Sequence, residues 1–122
     1  VGKLLRGDGV NGCDGMGFAG VTITDSMQME PVTGKYPSGD AAVAALKAGE
    51  DLLLMPADPV AAAAGIAAAV KAGTLPAERL DEAATAVLAL RIASDRVPAP
   101  SLDVVNSQAH QKLAAKALAA GK

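Results

Sequence analysis

The two stretches of this sequence whose residue types and spacing most suggest chemistry both fall within its first thirty residues. Asp25 closes the β-branched run Val21-Thr22-Ile23-Thr24, and a carboxylate set at the C-terminal end of a buried strand suits nucleophilic or acid–base work. Just upstream, Gly7-Asp8-Gly9-Val10-Asn11-Gly12 spells GxGxxG, the pattern that lays a pyrophosphate on backbone N–H groups when it follows a strand and opens a helix. Here a helix-like stretch precedes the pattern and a strand follows it. The polarity is reversed, so the glycine-dense stretch 7–17 reads as a lengthened αβ loop and not as a phosphate cradle. Asp8, Asn11 and Asp14 share that loop but lack the alternating ligand spacing and closing Glu of a calcium site. Cys13 has no base beside it that would activate a thiol. Glu30, five residues past Asp25, is expected to be solvated on a loop, and the single His110 to be a surface or domain-contact residue.

The elements that must position Asp25 are marked by caps and periodicity. Val1 to Arg6 reads as the end of a helix. Gly20 to Thr24 and Leu52 to Met55 are apolar on both faces, as expected of parallel strands covered by helices. Between them, residues 26–37 read as a loop. Ser38 then reads as the N-cap of a helix carrying Asp40 in its first turn and ending at Gly49. Asp58-Pro59 is an N-cap followed by proline at the first helical position, and Gly73 ends that alanine-rich helix. Pro76 opens another, with Leu80, Ala83, Val87 and Leu90 on one face. The Val97-Pro98-Ala99-Pro100 stretch reads as a linker, and Ser107 as the cap of a last helix ending near Gly121. Helices alternating with strands predict an α/β fold with a parallel sheet. Two strands cannot shield their own edges, so the chain reads as a slice of a larger sheet or barrel.

Bulk composition narrows the partners. The chain has 122 residues and a formal charge of −2, which offers no electrostatic footprint for nucleic acid or an anionic membrane surface. No apolar run approaches the roughly 20 residues of a membrane-spanning helix. One Cys rules out an internal disulfide framework. Only Phe18 and Tyr36 are aromatic, so the core must rest on Val, Leu, Ile and Ala. The chain opens on Val1 and not on Met, which leads us to expect a missing N-terminal part.

Three stretches, "GFAGVTITDSMQME", "YPSGDAAVAALKAGEDLLLMPADP" and "LPAERLDEAATAVLALR", resemble the C-terminal part of the catalytic barrel of family 3 glycoside hydrolases, in particular the bacterial β-N-acetylglucosaminidases (β-hexosaminidases). The resemblance runs from Val1 to about Arg91. It implies a (β/α)8 barrel, which needs about 250 residues, of which this chain would hold the last two β/α units. Residues 1–97 would be that barrel portion. Residues 98–122 would form a linker and the first helix leading toward a following α/β domain.

By the same resemblance Asp25 is the catalytic nucleophile, Met29 lines the sugar pocket, and Met27 is a further substrate-binding candidate. The implied activity is retaining exo-hydrolysis of terminal β-linked N-acetylglucosamine in peptidoglycan or amino-sugar fragments, with no metal and no organic cofactor. β-Glucosidases of the family usually carry Trp directly after the nucleophile. Ser26 stands there instead, which favours the N-acetylglucosaminidase branch. The family's acid/base loop, a Lys-His-Phe-Pro-Gly stretch followed by Asp-x-His, has no counterpart in this sequence. The chain alone is therefore expected to be inactive, with the missing barrel strands supplied by the rest of the polypeptide or by another chain. The alternative is a non-catalytic fragment that self-associates through its strand edges; a β-glucosidase or a nucleotide-binding module fits the residues less well.

Overall fold

The computed structural model describes residues 2–7 and 14–121. Most of the GxGxxG loop, with Cys13, lies outside the described residues. A short π-type turn, Gly2–Arg6, is followed by five α-helices: α1 (Glu30–Thr33), α2 (Ser38–Ala48), α3 (Pro59–Lys71), α4 (Ala77–Asp95) and α5 (Gln108–Ala120). A 3-10 turn, Leu102–Val104, sits between α4 and α5.

Local chemistry accounts for most helix boundaries. Asp58 caps α3 by accepting a hydrogen bond from the Ala61 N–H at 2.9 Å, and Pro59 takes the first helical position. Gly49 ends α2 at φ 103°, a left-handed conformation that a residue without a Cβ adopts freely. Ser107 Oγ accepts from the His110 N–H at the start of α5. Two expectations are corrected. Pro37, not Ser38, holds the N-cap of α2, and the Ser38 hydroxyl accepts from the Asp58 N–H at 3.1 Å. The stretch 26–37 is also not all loop, since Glu30 opens α1 with Pro31 in its first turn, although Glu30 is exposed as expected.

The larger correction concerns the strands. Among the described residues no strand forms, and the expected ladder between Gly20–Thr24 and Leu52–Met55 is reduced to one parallel bridge, Ile23 to Leu52. The cause can be followed bond by bond. Leu52 N donates to Thr22 O at 3.0 Å and Thr24 N to Leu52 O at 3.1 Å, as a parallel ladder requires. The next steps of that ladder would be Leu54 N to Thr24 O and Ser26 N to Leu54 O. Instead Leu54 N donates to the Thr24 side-chain hydroxyl at 2.9 Å, and Leu54 O accepts from Met27 N at 2.9 Å. One extra residue is thus taken up between Thr24 and Met27, a bulge that ends the pairing. The parallel direction stands; the α/β sheet does not extend beyond this bridge, and the described fold is helix-rich.

The core lies where α2, α3 and α4 meet. Leu46, Leu75 and Ala83 are buried together, with Ile66, Ala69, Val70 and Leu80 packed around them. Of the expected apolar face of α4, Ala83 is buried while Leu90 stays exposed. The α2–α3 crossing is unusually close because it places glycine on glycine: a Cβ built on Gly65 would stand 2.5 Å from Gly39 Cα. Backbone cannot yield as a flexible side chain can, so added bulk must separate the helices. Every residue of α5 is exposed. We expect Gly65→Ala to lower stability by about 1–3 kcal/mol, read as a reduced denaturation midpoint, and Gly73→Ala to leave the helix crossing intact. Equal stability of Gly65→Ala and the parent would show that this contact is slack.

Candidate active site

Asp25 stands immediately past the bridge, at the C-terminal edge of the parallel pair, and is exposed. Its Oδ1 accepts the backbone N–H of Ser26 at 2.7 Å, which fixes one carboxylate oxygen. The segment around it is held on both sides, by Thr24 N on Leu52 O before it and by Met27 N on Leu54 O after it. Met27 is buried beneath this turn, whereas Met29 is 42% exposed and forms the N-cap of α1. Of the two methionines, only Met29 presents surface to solvent. Met55 closes the facing segment at φ 49°, a left-handed conformation rare for a residue with a side chain, directly before Pro56. Ser38, the first residue of α2, and Asp58, the N-cap of α3, meet on the same side chain-to-backbone bond described above.

Beneath this edge lies a cluster that sequence reasoning missed. Asp51 immediately precedes the bridge, and its side chain is 3% exposed. Its Oδ2 accepts from the Thr22 N–H at 3.0 Å and pairs with the Arg6 guanidinium; its Oδ1 pairs with Arg79 Nη2 at 2.7 Å. The Thr22 hydroxyl lies 3.0 Å from Gly49 O and 3.2 Å from Asp51 Oδ2. Arg79, on α4, also donates to Leu46 O at 3.1 Å and Glu50 O at 2.8 Å, satisfying carbonyls at and beyond the end of α2. Arg6 reaches Gly20 O at 3.3 Å. Burial by itself would raise the Asp51 pKa, but the Thr22 N–H, the two guanidinium groups and the Thr22 hydroxyl outweigh it and hold the carboxyl below the ordinary aspartate value. One signal was available: an Asp set directly before a continuous apolar run must be buried with it, and a buried charge needs a partner.

The remaining candidates separate cleanly. Asp14 and His110 are exposed, and Asp58 serves as a helix cap. Among the described residues no three His, Cys, Asp or Glu side chains gather as a metal site. No helix of the described residues is long and apolar enough to cross a membrane.

The region that holds the parallel bridge finds a match in known sequences. A family profile described as "Glycosyl hydrolase family 3 N terminal domain" matches residues 13–90. The chain belongs to glycosyl hydrolase family 3. The match spans both bridged segments, Asp25, Asp51 and Arg79. Among solved structures, a glycoside hydrolase family 3 beta-N-acetylglucosaminidase from Paenibacillus sp. str. FPU-7 is similar at 33% identity and a TM-score of 0.61, over 76% of this chain and 19% of that one. The chain therefore spans about one-fifth of the length of that family 3 structure, as the 19% coverage records. No curated protein matches the chain.

The Asp51 cluster sets an acid limit on this family 3 fold. Because the folded-state pKa lies below the unfolded one, the unfolded chain binds more protons between the two values. The contribution of Asp51 is then complete above the ordinary value of 3.8 and is lost as pH falls through the lower folded value. We expect stability to drop on acidification below that point, and Asp51→Asn to flatten this drop while lowering stability at neutral pH. Asp51→Ala, which leaves the buried Thr22 N–H without its acceptor and both arginines without their carboxylate, should remove about 1–3 kcal/mol. Chemical denaturation across pH 2–7 checks both, in the range where aspartate titrates.

Proposed function

We propose that this chain is the nucleophile-bearing part of a retaining exo-β-N-acetylglucosaminidase, residues 1–97 contributing the last two β/α units of a (β/α)8 barrel and residues 98–122 leading toward a following domain. The observation that carries the reading is the position of Asp25: an exposed carboxylate at the C-terminal edge of a parallel pair, with one oxygen fixed by Ser26 N–H. Barrel enzymes place their catalytic groups at that edge. Family membership and the beta-N-acetylglucosaminidase neighbour support the reaction class.

In the double displacement, the free oxygen of Asp25 attacks the anomeric carbon of a terminal β-linked N-acetylglucosamine while a proton donor on the opposite face protonates the departing glycosidic oxygen. The glycosyl-enzyme is then opened by water, which the former donor deprotonates, and the carboxylate leaves with net retention. The donor belongs to the His-containing loop of the complete barrel, which this sequence does not include. Met29 lines the sugar pocket, and the buried Met27 supports the turn beneath it. The substrate class is amino-sugar-terminated fragments such as those of peptidoglycan.

A second reading has its own observation. Leu52 and Leu54 remain 37% and 38% exposed, and a groove of about 360 Å³ lined by Leu46, Leu52, Leu53, Ile66, Ala83 and Val87 lies open between the helices. In the barrel reading the remaining units cover this face; in the alternative, a second copy does. Sedimentation of the chain alone is expected to show species larger than a monomer, and a compact monomer would argue against both coverings.

The chain alone is expected to show no turnover of an aryl β-N-acetylglucosaminide, since general acid–base help is worth about 10²–10⁴ in rate. In a complete family 3 barrel carrying residues 1–97, Asp25→Asn and Asp25→Ala should abolish hydrolysis, while Asp14→Ala and Glu30→Ala retain most of it. An activated fluoro-sugar should label the peptide that contains Asp25. Labelling at Glu30, or full activity of Asp25→Ala, would place the nucleophile elsewhere.

A further inference from the structure

The extra residue between Thr24 and Met27 is held in place by a side chain that the proposed chemistry does not use. We propose that the Thr24 hydroxyl is a positioning residue for Asp25: by accepting the Leu54 N–H in place of the Thr24 carbonyl, it holds the bulge on which the carboxylate is presented. This rests on the reading of Asp25 as the nucleophile.

Three bonds carry the argument. Leu54 N donates to Thr24 Oγ1 at 2.9 Å, a substitution of side chain for backbone at the acceptor position of the ladder. Leu54 O accepts from Met27 N at 2.9 Å, one residue later than regular pairing requires. Ser26 N, displaced from Leu54 O, is thereby free to donate to Asp25 Oδ1 at 2.7 Å. If Leu54 N returned to the Thr24 carbonyl, the regular register would draw Ser26 N back to Leu54 O. Asp25 would lose its only hydrogen bond among the described residues. A hydroxyl is required at position 24 because only an acceptor on the side chain can compete with the carbonyl for the same N–H. Thr24→Val keeps the shape and removes that acceptor, whereas Thr24→Ser keeps the acceptor.

The Ser26 amide reports the arrangement directly, because a hydrogen bond transmits a scalar coupling from the donor nitrogen to the acceptor's carbon. In the 122-residue chain, NMR should show the Ser26 nitrogen coupled to the Asp25 carboxyl carbon in the parent and in Thr24→Ser, and coupled to the Leu54 carbonyl carbon instead in Thr24→Val. Persistence of the Ser26–Asp25 coupling in Thr24→Val would overturn the proposal, because the bulge would then stand without the hydroxyl. In the complete barrel, Thr24→Val should lower kcat about 10- to 100-fold with KM changed less than about twofold, as a misplaced nucleophile does, and Thr24→Ser should recover most of the rate. A Thr24→Val enzyme with the parent kcat, beside an inactive Asp25→Ala, would overturn the role of Thr24 and leave the nucleophile standing. An active Asp25→Ala would remove the nucleophile itself, with the Ser26 signal still deciding what Thr24 holds.

Discussion

Asp51 brings a negative charge into the interior, and much of the surrounding arrangement follows from compensating it. Two arginines from distant parts of the chain, Arg6 and Arg79, converge on its two oxygens. Neither guanidinium is spent on the carboxylate alone: Arg79 also secures the carbonyls of Leu46 and Glu50, and Arg6 that of Gly20. Thr22 is gripped at its N–H by Asp51 and at its carbonyl by the N–H groups of Asp51 and Leu52. The parallel bridge therefore begins at an ionic anchor. Buried ion pairs seldom add much net stability; what this one fixes is alignment, since it ties the π-type turn, both bridged segments, the end of α2 and the start of α4 to a single side chain.

The site divides into a rigid base and a turned edge. At the base, the Asp51 network sets which residue of 20–24 faces which residue of 52–55. At the edge, the Thr24 hydroxyl interrupts the regular pairing, and Asp25 emerges from the interruption with one oxygen already engaged. The nucleophilic role proposed for Asp25 gains from a carboxylate held in one orientation, and a backbone held on both sides supplies that hold without crowding the second oxygen with further groups.

How much of this was legible depended on how far apart the interacting residues lie. Asp58, Gly49, Gly73 and Ser107 announce helix ends within a few residues of themselves, and those boundaries were readable directly. The place of Asp25 just past the bridged segment was readable as well, because a β-branched run followed by an acid is a local pattern. The Asp51 cluster was not, since its partners lie 28, 29 and 45 residues away. The strands were misjudged for a related reason. Val21-Thr22-Ile23-Thr24 has every local preference of a strand, but whether a ladder propagates depends on which acceptor a single N–H chooses across the pair, and no propensity encodes that choice. Ser38 shows the same limit: it has the composition of a cap, yet its hydroxyl serves the neighbouring helix.

The glycine contact between α2 and α3 has a consequence for the span that joins them. Gly39 and Gly65 set backbone against backbone, and the Ser38–Asp58 bond closes the same two helices near their starts. The stretch from Gly49 to Asp58 is then strung between two fixed points while it also carries Asp51, Leu52 and Leu54 to their partners. Connecting loops ordinarily accommodate changes of length. This one has no slack to give, so sequences that share this geometry should align through it without a gap, and length variation should collect instead in the glycine-dense stretch ahead of Phe18.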